Sequence, residues 1–485
     1  MTDQIQHDGL DAPVLTANTS VVWSMLFIFG LTVALCLLGA ATRPMGFLAG
    51  FWPANAVTAA IFLRYPALFT PLNWVTAFVG FMVADLASGN DLVLALSLTA
   101  SNFAGILTAS LLLKRLGSQA TGLSGGMSIL AIFFASFLAA GATSIVGSQV
   151  SATFFGVPYA DAFMFWFSNE LTNHVTFIPL VLAIPGNVGQ RLRRSAQTTF
   201  TMAWTEASYH RLFAFGLLVL LVYFSHVFGG AGAFAFPLPA LILVAMLYPM
   251  FATVGLVLIY TVWCQSVFFL DMIFKGVAAV GAHDIMSVRF AITLVALGPL
   301  TVACMNAARE AMRIALDRAA TTDELTGVLN RRAFLALADD TLHVKRPAGA
   351  ATVVLMLDID HFKSINDRYG HAGGDDALKA FTGVVEANLR STDLLGRLGG
   401  EEFAIIARAG RLGDAAVLAD RIRMAVKQHT IHTADGQAFS MTVSIGGVAR
   451  YGRFDLSIDD ALHQADAALY KAKHAGRDQV LIATA

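Results

Sequence analysis

Between Val21 and Met305 one pattern repeats: apolar runs, each about twenty residues long, separated by short polar joints. A run of that length crosses the hydrocarbon core of a bilayer as a helix and satisfies its backbone hydrogen bonds internally. More than half of the chain is thereby committed to a helical fold with lipid as its solvent. The runs lie near 21–41, 46–63, 70–88, 92–113, 123–148, 160–184, 212–228, 234–248, 251–270 and 285–305, so eight to ten spans are expected. Pro237, Pro239 and Pro249 make the eighth the weakest. The first run lacks a basic flank and a cleavage pattern and reads as a retained helix, preceded by a cytoplasmic tail over 1–20.

Charge divides the chain at the same place. Ten Lys/Arg and ten Asp/Glu occur up to Met305, against 22 and 23 in the shorter remainder. The net charge of −1 provides no basic field, and no nucleic-acid partner is expected. Cys36, Cys264 and Cys304 sit in apolar runs without metal-ligand spacing and read as small buried hydrophobes. Basic residues in short loops set orientation. With the N-terminus inside, Arg64, Lys114, Arg115, Arg191, Arg193, Arg194 and Arg211 are cytoplasmic. Arg43 and Lys275 are outside, with Arg289 near the outer edge. An even number of spans returns the soluble half to the cytoplasm.

Two clusters in the membrane half carry polar chemistry. One is Phe51-Trp52-Pro53-Ala54-Asn55-Ala56; the other is Trp166-Phe167-Ser168-Asn169-Glu170, followed by Asn173, His174 and Pro179. Together they resemble the MASE1 family of bacterial membrane sensor domains over most of 20–305. That family usually has Gly near Ala56 and often Asp near Asn169. Glu170 and His174 are four apart and share a helix face. An ionisable pair at membrane depth is a functional-site hypothesis. The alternative is a hydrogen-bonded pair that locks packing, with Asp85 and Asn102 on neighbouring spans as partners. A sensory ligand of unknown identity is the corresponding partner expectation.

From 306 to 320 the chain has no Gly or Pro and is rich in helix formers. Met305, Ala308, Met312, Ala315 and Ala319 recur at heptad spacing. This segment reads as a signalling helix, or more plainly as a solvated linker.

Beyond residue 321 the periodicity changes to alternating strands and helices, an α/β pattern. A buried strand over 351–357 runs into Asp358-Ile359-Asp360. Two strands, 394–398 and 403–408, flank Gly399-Gly400-Glu401-Glu402, whose glycines suit a tight primed turn. Asp358 at a strand end and Glu401 on a hairpin can converge on Mg²⁺, which prefers one or two carboxylates plus phosphate oxygens. Lys473 and Arg477, four apart, can neutralise a triphosphate. Asn366 and Asp375 offer groups suited to a guanine edge.

In this order the blocks resemble the GGDEF domain family over 321–485. The resemblance implies a central antiparallel sheet flanked by helices, like nucleotidyl cyclases and polymerase palms. It implies diguanylate cyclase activity, joining two GTP molecules into cyclic di-GMP. Mg²⁺, or Mn²⁺ in its place, is then held by Asp358, the Ile359 carbonyl and Glu401. Asn366 and Asp375 read guanine, and Lys473 and Arg477 grip phosphates. Lys363 and His371 belong to the substrate-proximal block, and Glu402 assists deprotonation of the 3′-hydroxyl. Arg390 and Asp393 stand at the family's RxxD inhibitory position for the product, with Arg421 as a secondary contact. The family's usual Asn after Gly-Arg is Asp478 here.

The whole is expected to be a polytopic α-helical membrane domain (21–305), a linker helix (306–320) and a GGDEF domain (321–485). It is expected to work as a homodimer in a bacterial inner membrane, with the enzyme domain cytoplasmic. Three rivals stand beside this reading: a GGDEF domain that only binds nucleotide, an enzyme making another cyclic dinucleotide, and a transporter with an attached enzyme. Asp358, Glu401 and Glu402 weigh against the first, and Asp375 against the second.

Overall fold

The computed structural model describes residues 21–42, 51–186, 206–229, 231–275, 282–343, 351–410, 413–433, 436–451 and 456–484. The chain divides into two compact units, Met1–Ala311 and Met312–Ala485. The expected N-terminal tail and the loop charges Arg43, Arg191, Arg193 and Arg194 lie outside the described residues.

The first unit is helical among its described residues. Its main helices are α1 (Val21–Ala41), α2 (Ala54–Arg64), α3 (Pro71–Ala87), α4 (Leu92–Leu116), α5 (Gly126–Phe155), α6 (Tyr159–Leu182), α7 (Glu206–Phe228), α8 (Leu238–Leu247), α9 (Met250–Lys275) and α10 (Ala282–Thr321). Among the described residues five segments are long and apolar enough to cross a membrane: Val21–Ala41, Leu92–Leu116, Gly126–Phe155, Ser208–Phe228 and Ile285–Thr321. Two expected spans are shorter than their apolar runs. Helix α2 has 11 residues and α8 has 10, about 16 Å of rise against about 30 Å of hydrocarbon. Proline sets both starts, because Pro53 and Pro237 occupy the N-cap positions.

The unit is apolar outside, and a set of polar and ionisable groups stands among the apolar residues of its interior. Trp23, Phe134, Phe213 and Phe228 are mostly exposed, whereas Asn55, Asn102, Glu170, His174 and Arg289 are buried. A protein in water shows the reverse arrangement. Arg289, counted from sequence among the outer charges, is instead an interior residue with its guanidinium 4.3 Å from the Phe165 ring centre. Its depth removes it from the loop-charge tally.

The second unit is a six-stranded sheet flanked by helices. Its strands are β1 (Leu329–Asn330), β2 (Ala351–Ile359), β3 (Leu394–Gly399), β4 (Glu402–Ala409), β7 (Val443–Tyr451) and β8 (Val480–Thr484), in the order β1-β3-β4-β2-β7-β8. A separate two-stranded ribbon joins β5 (Ile431–His432) to β6 (Ala438–Phe439). The helices are α11 (Arg331–His343), α12 (Phe362–Ala387), α13 (Gly413–Gln428) and α14 (Ile458–His474).

Strand β2 is buried at every position, as a central strand covered on both faces requires. Its alternation assigns the two layers. Val353, Leu355 and Leu357 join Phe381, Phe403 and Ile422 in one core, while Val354 and Met356 join Phe334, Ala461 and Leu469 in another. The expectation of an antiparallel sheet is corrected at both edges. The inner four strands pair antiparallel, but β1–β3 and β7–β8 are parallel. At the β8 edge the reason is α14, whose crossover returns the chain in the same direction as β7.

Candidate functional site

Strand β2 carries Asp358 and Ile359 to the edge of the sheet, where β4 and β7 flank it. Asp358 is in register with Glu402, and the Ile359 amide lies 3.4 Å from the Glu401 carbonyl oxygen. Pairing alone therefore sets the tip of the β3–β4 hairpin beside the end of β2. Gly399 pairs with Glu402, leaving Gly400 and Glu401 as a two-residue loop. Gly400 has φ +50°, and Glu401 does not share that sign. This is the pattern of a type II′ turn, which needs glycine at its first central position. Added Cβ atoms at Gly399 and Gly400 would meet nothing within 4 Å, so the backbone there is open to a close-approaching group.

Lys473, on the last turn of α14, places its ammonium 2.7 Å from Asp358 Oδ2. Burial pushes the Asp358 carboxyl above its usual range despite that bond and the nearby Arg477. Glu401 is raised as well, by burial and then by the charge of Asp358. Two desolvated carboxylates that oppose each other's ionisation form a hard-oxygen site in need of positive charge. Among the described residues no group of three or more His, Cys, Asp or Glu side chains could hold a metal. The protein thus offers two carboxylates and a backbone carbonyl. This donor set fits Mg²⁺ or Mn²⁺ completed by substrate oxygens, and Lys473 supplies the positive charge in this structure.

Asn366 and Asp375 come together across a break in α12. Gly370 is non-helical (φ 72°, ψ 174°) and splits the helix in two. A Cβ at Gly374 would stand 2.0 Å from Asn366 Oδ1, so the amide lies against the backbone beside Asp375. Lys363, His371 and Asp375 are exposed on these segments, as is Glu402 on the hairpin.

Three residues outside the sequence-derived set organise this site. Asp360, buried, accepts hydrogen bonds from Ser444 Oγ (2.7 Å), Thr442 Oγ1 (2.8 Å) and the Asp478 amide (3.0 Å). It ties the end of β2 to the segment bearing Arg477. That segment is strained, with positive φ at Gly476, Arg477 and Asp478 in succession. Asp478 holds it by ion pairs to Arg423 (2.7 Å) and Lys427 (2.6 Å) on α13. Arg397 donates two hydrogen bonds to the Gly400 carbonyl and a third to Asp323 Oδ1 at 2.9 Å. Asp360 and Asp323 are visible in the sequence as acidic residues at a strand end and just after a helix. Asp323 has a local partner in Thr326, but its partner Arg397 and all those of Asp360 are 74 or more residues away and carry no local signal.

A second feature lies at the opposite end of β3. A cavity of about 360 Å³ is lined by Thr322, Gly327, Glu386, Leu389, Arg390 and Asp393, among others. The surface ion pair open to Arg390 and Asp393 does not form. Asp393 Oδ2 instead accepts from the Arg390 backbone amide at 2.9 Å. Arg421 donates to the Asn388 carbonyl (2.8 Å), which puts it beside the same turn.

In the first unit the two sequence clusters meet. Asn55 Nδ2 donates to Glu170 Oε1 (2.8 Å) and to Asn102 Oδ1 (2.9 Å). His174 Nδ1 lies 2.8 Å from the Glu170 carbonyl oxygen and 3.2 Å from Oε2. Asn102 is thus a partner as expected. Asp85 accepts from Asn90 Nδ2 (3.3 Å) within its own segment.

Residues 320–479 match the family described as diguanylate cyclase, GGDEF domain. A probable diguanylate cyclase, DgcF, of Escherichia coli O157:H7 is 30% identical over 465 residues, covering 93% of each chain. The response regulator PleD of Caulobacter vibrioides (strain NA1000 / CB15N) is 39% identical over 163 residues, 33% of this chain and 36% of that protein. Among solved structures, the coiled coil and GGDEF domain of DgcB from Caulobacter crescentus, in complex with c-di-GMP, is 31% identical. It covers 36% of this chain and 93% of that one, with a TM-score of 0.31.

Proposed function

This chain belongs to the GGDEF-domain diguanylate cyclases, and from that premise we propose a mechanism, a regulatory architecture and a location for it. The observation that carries the mechanism is the meeting of Asp358, Glu401 and Lys473 beside an open glycine turn. Asn366 and Asp375 bind the guanine edge of GTP. Lys473 and Arg477 hold its phosphates. Asp358, the Ile359 carbonyl and Glu401 would hold Mg²⁺ or Mn²⁺, which supplies positive charge to the phosphate oxygens when bound. Open backbone at Gly399 and Gly400 admits the phosphates, with Lys363 and His371 at the edge of the substrate. Glu402 accepts the 3′-hydroxyl proton as that oxygen attacks the α-phosphate of the opposite GTP, and pyrophosphate leaves. Two copies face each other, so the active species is a homodimer.

In this proposal 21–305 is a MASE1-like sensor in the inner membrane, 306–320 a signalling helix and 321–485 the cytoplasmic enzyme. The apolar exterior of the first unit, with ionisable groups kept inside, supports a lipid surrounding. The stretch 311–320 is exposed at every residue, which leaves its heptad face available to a second copy. Product feedback is assigned to Arg390, Asp393 and Arg421. The cavity beside them and the exposed Arg390 side chain support it.

The test is turnover by the full-length chain with GTP and Mg²⁺ or Mn²⁺. Cyclic di-GMP and pyrophosphate are the expected products. GTP binding without turnover, or preferential use of ATP, overturns the proposal.

A further inference from the structure

Several interior hydroxyls of the first unit close on their own helix, while others, such as Ser110, Ser136 and Thr143, have no partner. Ser144, Thr172, Thr176 and Thr261 each donate to the carbonyl four residues back. The chain Asn102–Asn55–Glu170–His174 does not close. Asn55 uses both Nδ2 hydrogens, on Asn102 and Glu170. The Glu170 carbonyl can only accept, so His174 Nδ1 carries the hydrogen of their bond, and in a neutral ring the lone pair is then on Nε2.

What remains is one-sided. Asn55 Oδ1 and His174 Nε2 have no hydrogen-bond partner, Glu170 Oε2 has only the 3.2 Å approach of His174 Nδ1, and all three residues are 0% exposed. Surplus acceptors around a buried carboxylate are costly unless a positive or hydrogen-donating guest satisfies them. Among the described residues no group of three His, Cys, Asp or Glu exists, which argues against a transition-metal centre.

We propose that Asn55, Glu170 and His174 form a binding site for a small cation, either a monovalent metal ion or a protonated primary amine. Both offer a compact positive charge to acceptor atoms. The proposal rests on the sensor reading only in making this cation the detected signal.

The test uses the full-length chain in detergent micelles, with thermal unfolding and cyclase rate measured in parallel. Sodium, potassium and methylammonium chloride are each titrated against N-methyl-D-glucamine chloride at constant ionic strength. One or more of the three should raise the wild-type midpoint saturably, by about 5 °C at high occupancy, and which arm does so identifies the source. Glu170→Gln keeps an acceptor for Asn55 but removes the charge, and should abolish the shift. His174→Gln should move its half-saturation at least about tenfold higher, and carries the test alone where Glu170→Gln fails to fold. No saturable shift with any of the three cations means that water fills the acceptors, and overturns the site. Equal shifts in wild type and both variants place the cation elsewhere and overturn it too. A shift lost in the variants with an unchanged cyclase rate keeps the site and removes only its role as the signal.

Discussion

Glu170 and Glu401 are the same residue in opposite surroundings. Glu170 is completely buried in a helical unit and is bonded to a residue 115 positions away. Glu401 is half-buried on a two-residue turn, raised by burial and by Asp358, with open space over the neighbouring glycines. A carboxylate on an open turn is placed to meet substrate. A carboxylate sealed inside a helix bundle acts on whatever its neighbours are. On the proposed reading, the first position governs rate and the second governs stability and response.

The largest expected effect tests the first half of this contrast. Glu401→Ala should lower cyclic di-GMP synthesis by about a hundredfold or more, while the unfolding of the enzyme unit stays unchanged. Near-normal activity in that variant breaks the comparison. The counterpart is Glu170→Ala, which strips Asn55 of one acceptor and should destabilise the first unit by about 1–3 kcal/mol. Its cyclase rate, measured where the protein remains folded, should keep the same dependence on GTP. A raised KM for GTP would show that the two carboxylates do not divide the work this way.

Arg390→Ala should stay active and lose sensitivity to added product by about tenfold, since a guanidinium bound to phosphate or guanine contributes a charge-assisted bond. A time course with cyclic di-GMP added at the start reads this directly. Identical slowing of wild type and variant would leave Arg390 as a surface residue.

The smallest effect concerns Asp478→Asn, which restores the residue usual in the family. Burial works to raise the Asp478 carboxyl, but hydrogen bonds from Lys427 and Arg423 hold it below its ordinary 3.8. Such a group stabilises the fold fully above 3.8 and loses that contribution as pH falls through its lower folded value. Both partners are solvent-accessible, so the loss should stay under about 1 kcal/mol at neutral pH. The difference in stability between variant and wild type should shrink in acid. A difference that grows below pH 4 contradicts the ion-pair account.

Some of this was legible without a structure because it is written in short stretches. Apolar runs and their prolines determine where helices form and start, and the alternation in β2 determines a central strand. The glycine pair between two apolar strands determines a tight hairpin, since only glycine takes the positive φ its first loop position needs. Candidate residues of the enzyme site are readable for the same reason: each block is continuous in the chain.

What the sequence could not determine is which blocks touch. The two motifs of the first unit read as separate features until packing joined Asn55 to Glu170. The clamp from Arg397 to Gly400 and Asp323, and the anchoring of the Arg477 segment by Asp360, Arg423 and Lys427, are likewise contacts between distant positions. The parallel edges of the sheet followed from a crossover helix that strand patterns do not reveal. Periodicity and turn chemistry act over a few residues. Hydrogen bonds between elements depend on where packing brings their ends, and only the tertiary structure decides that.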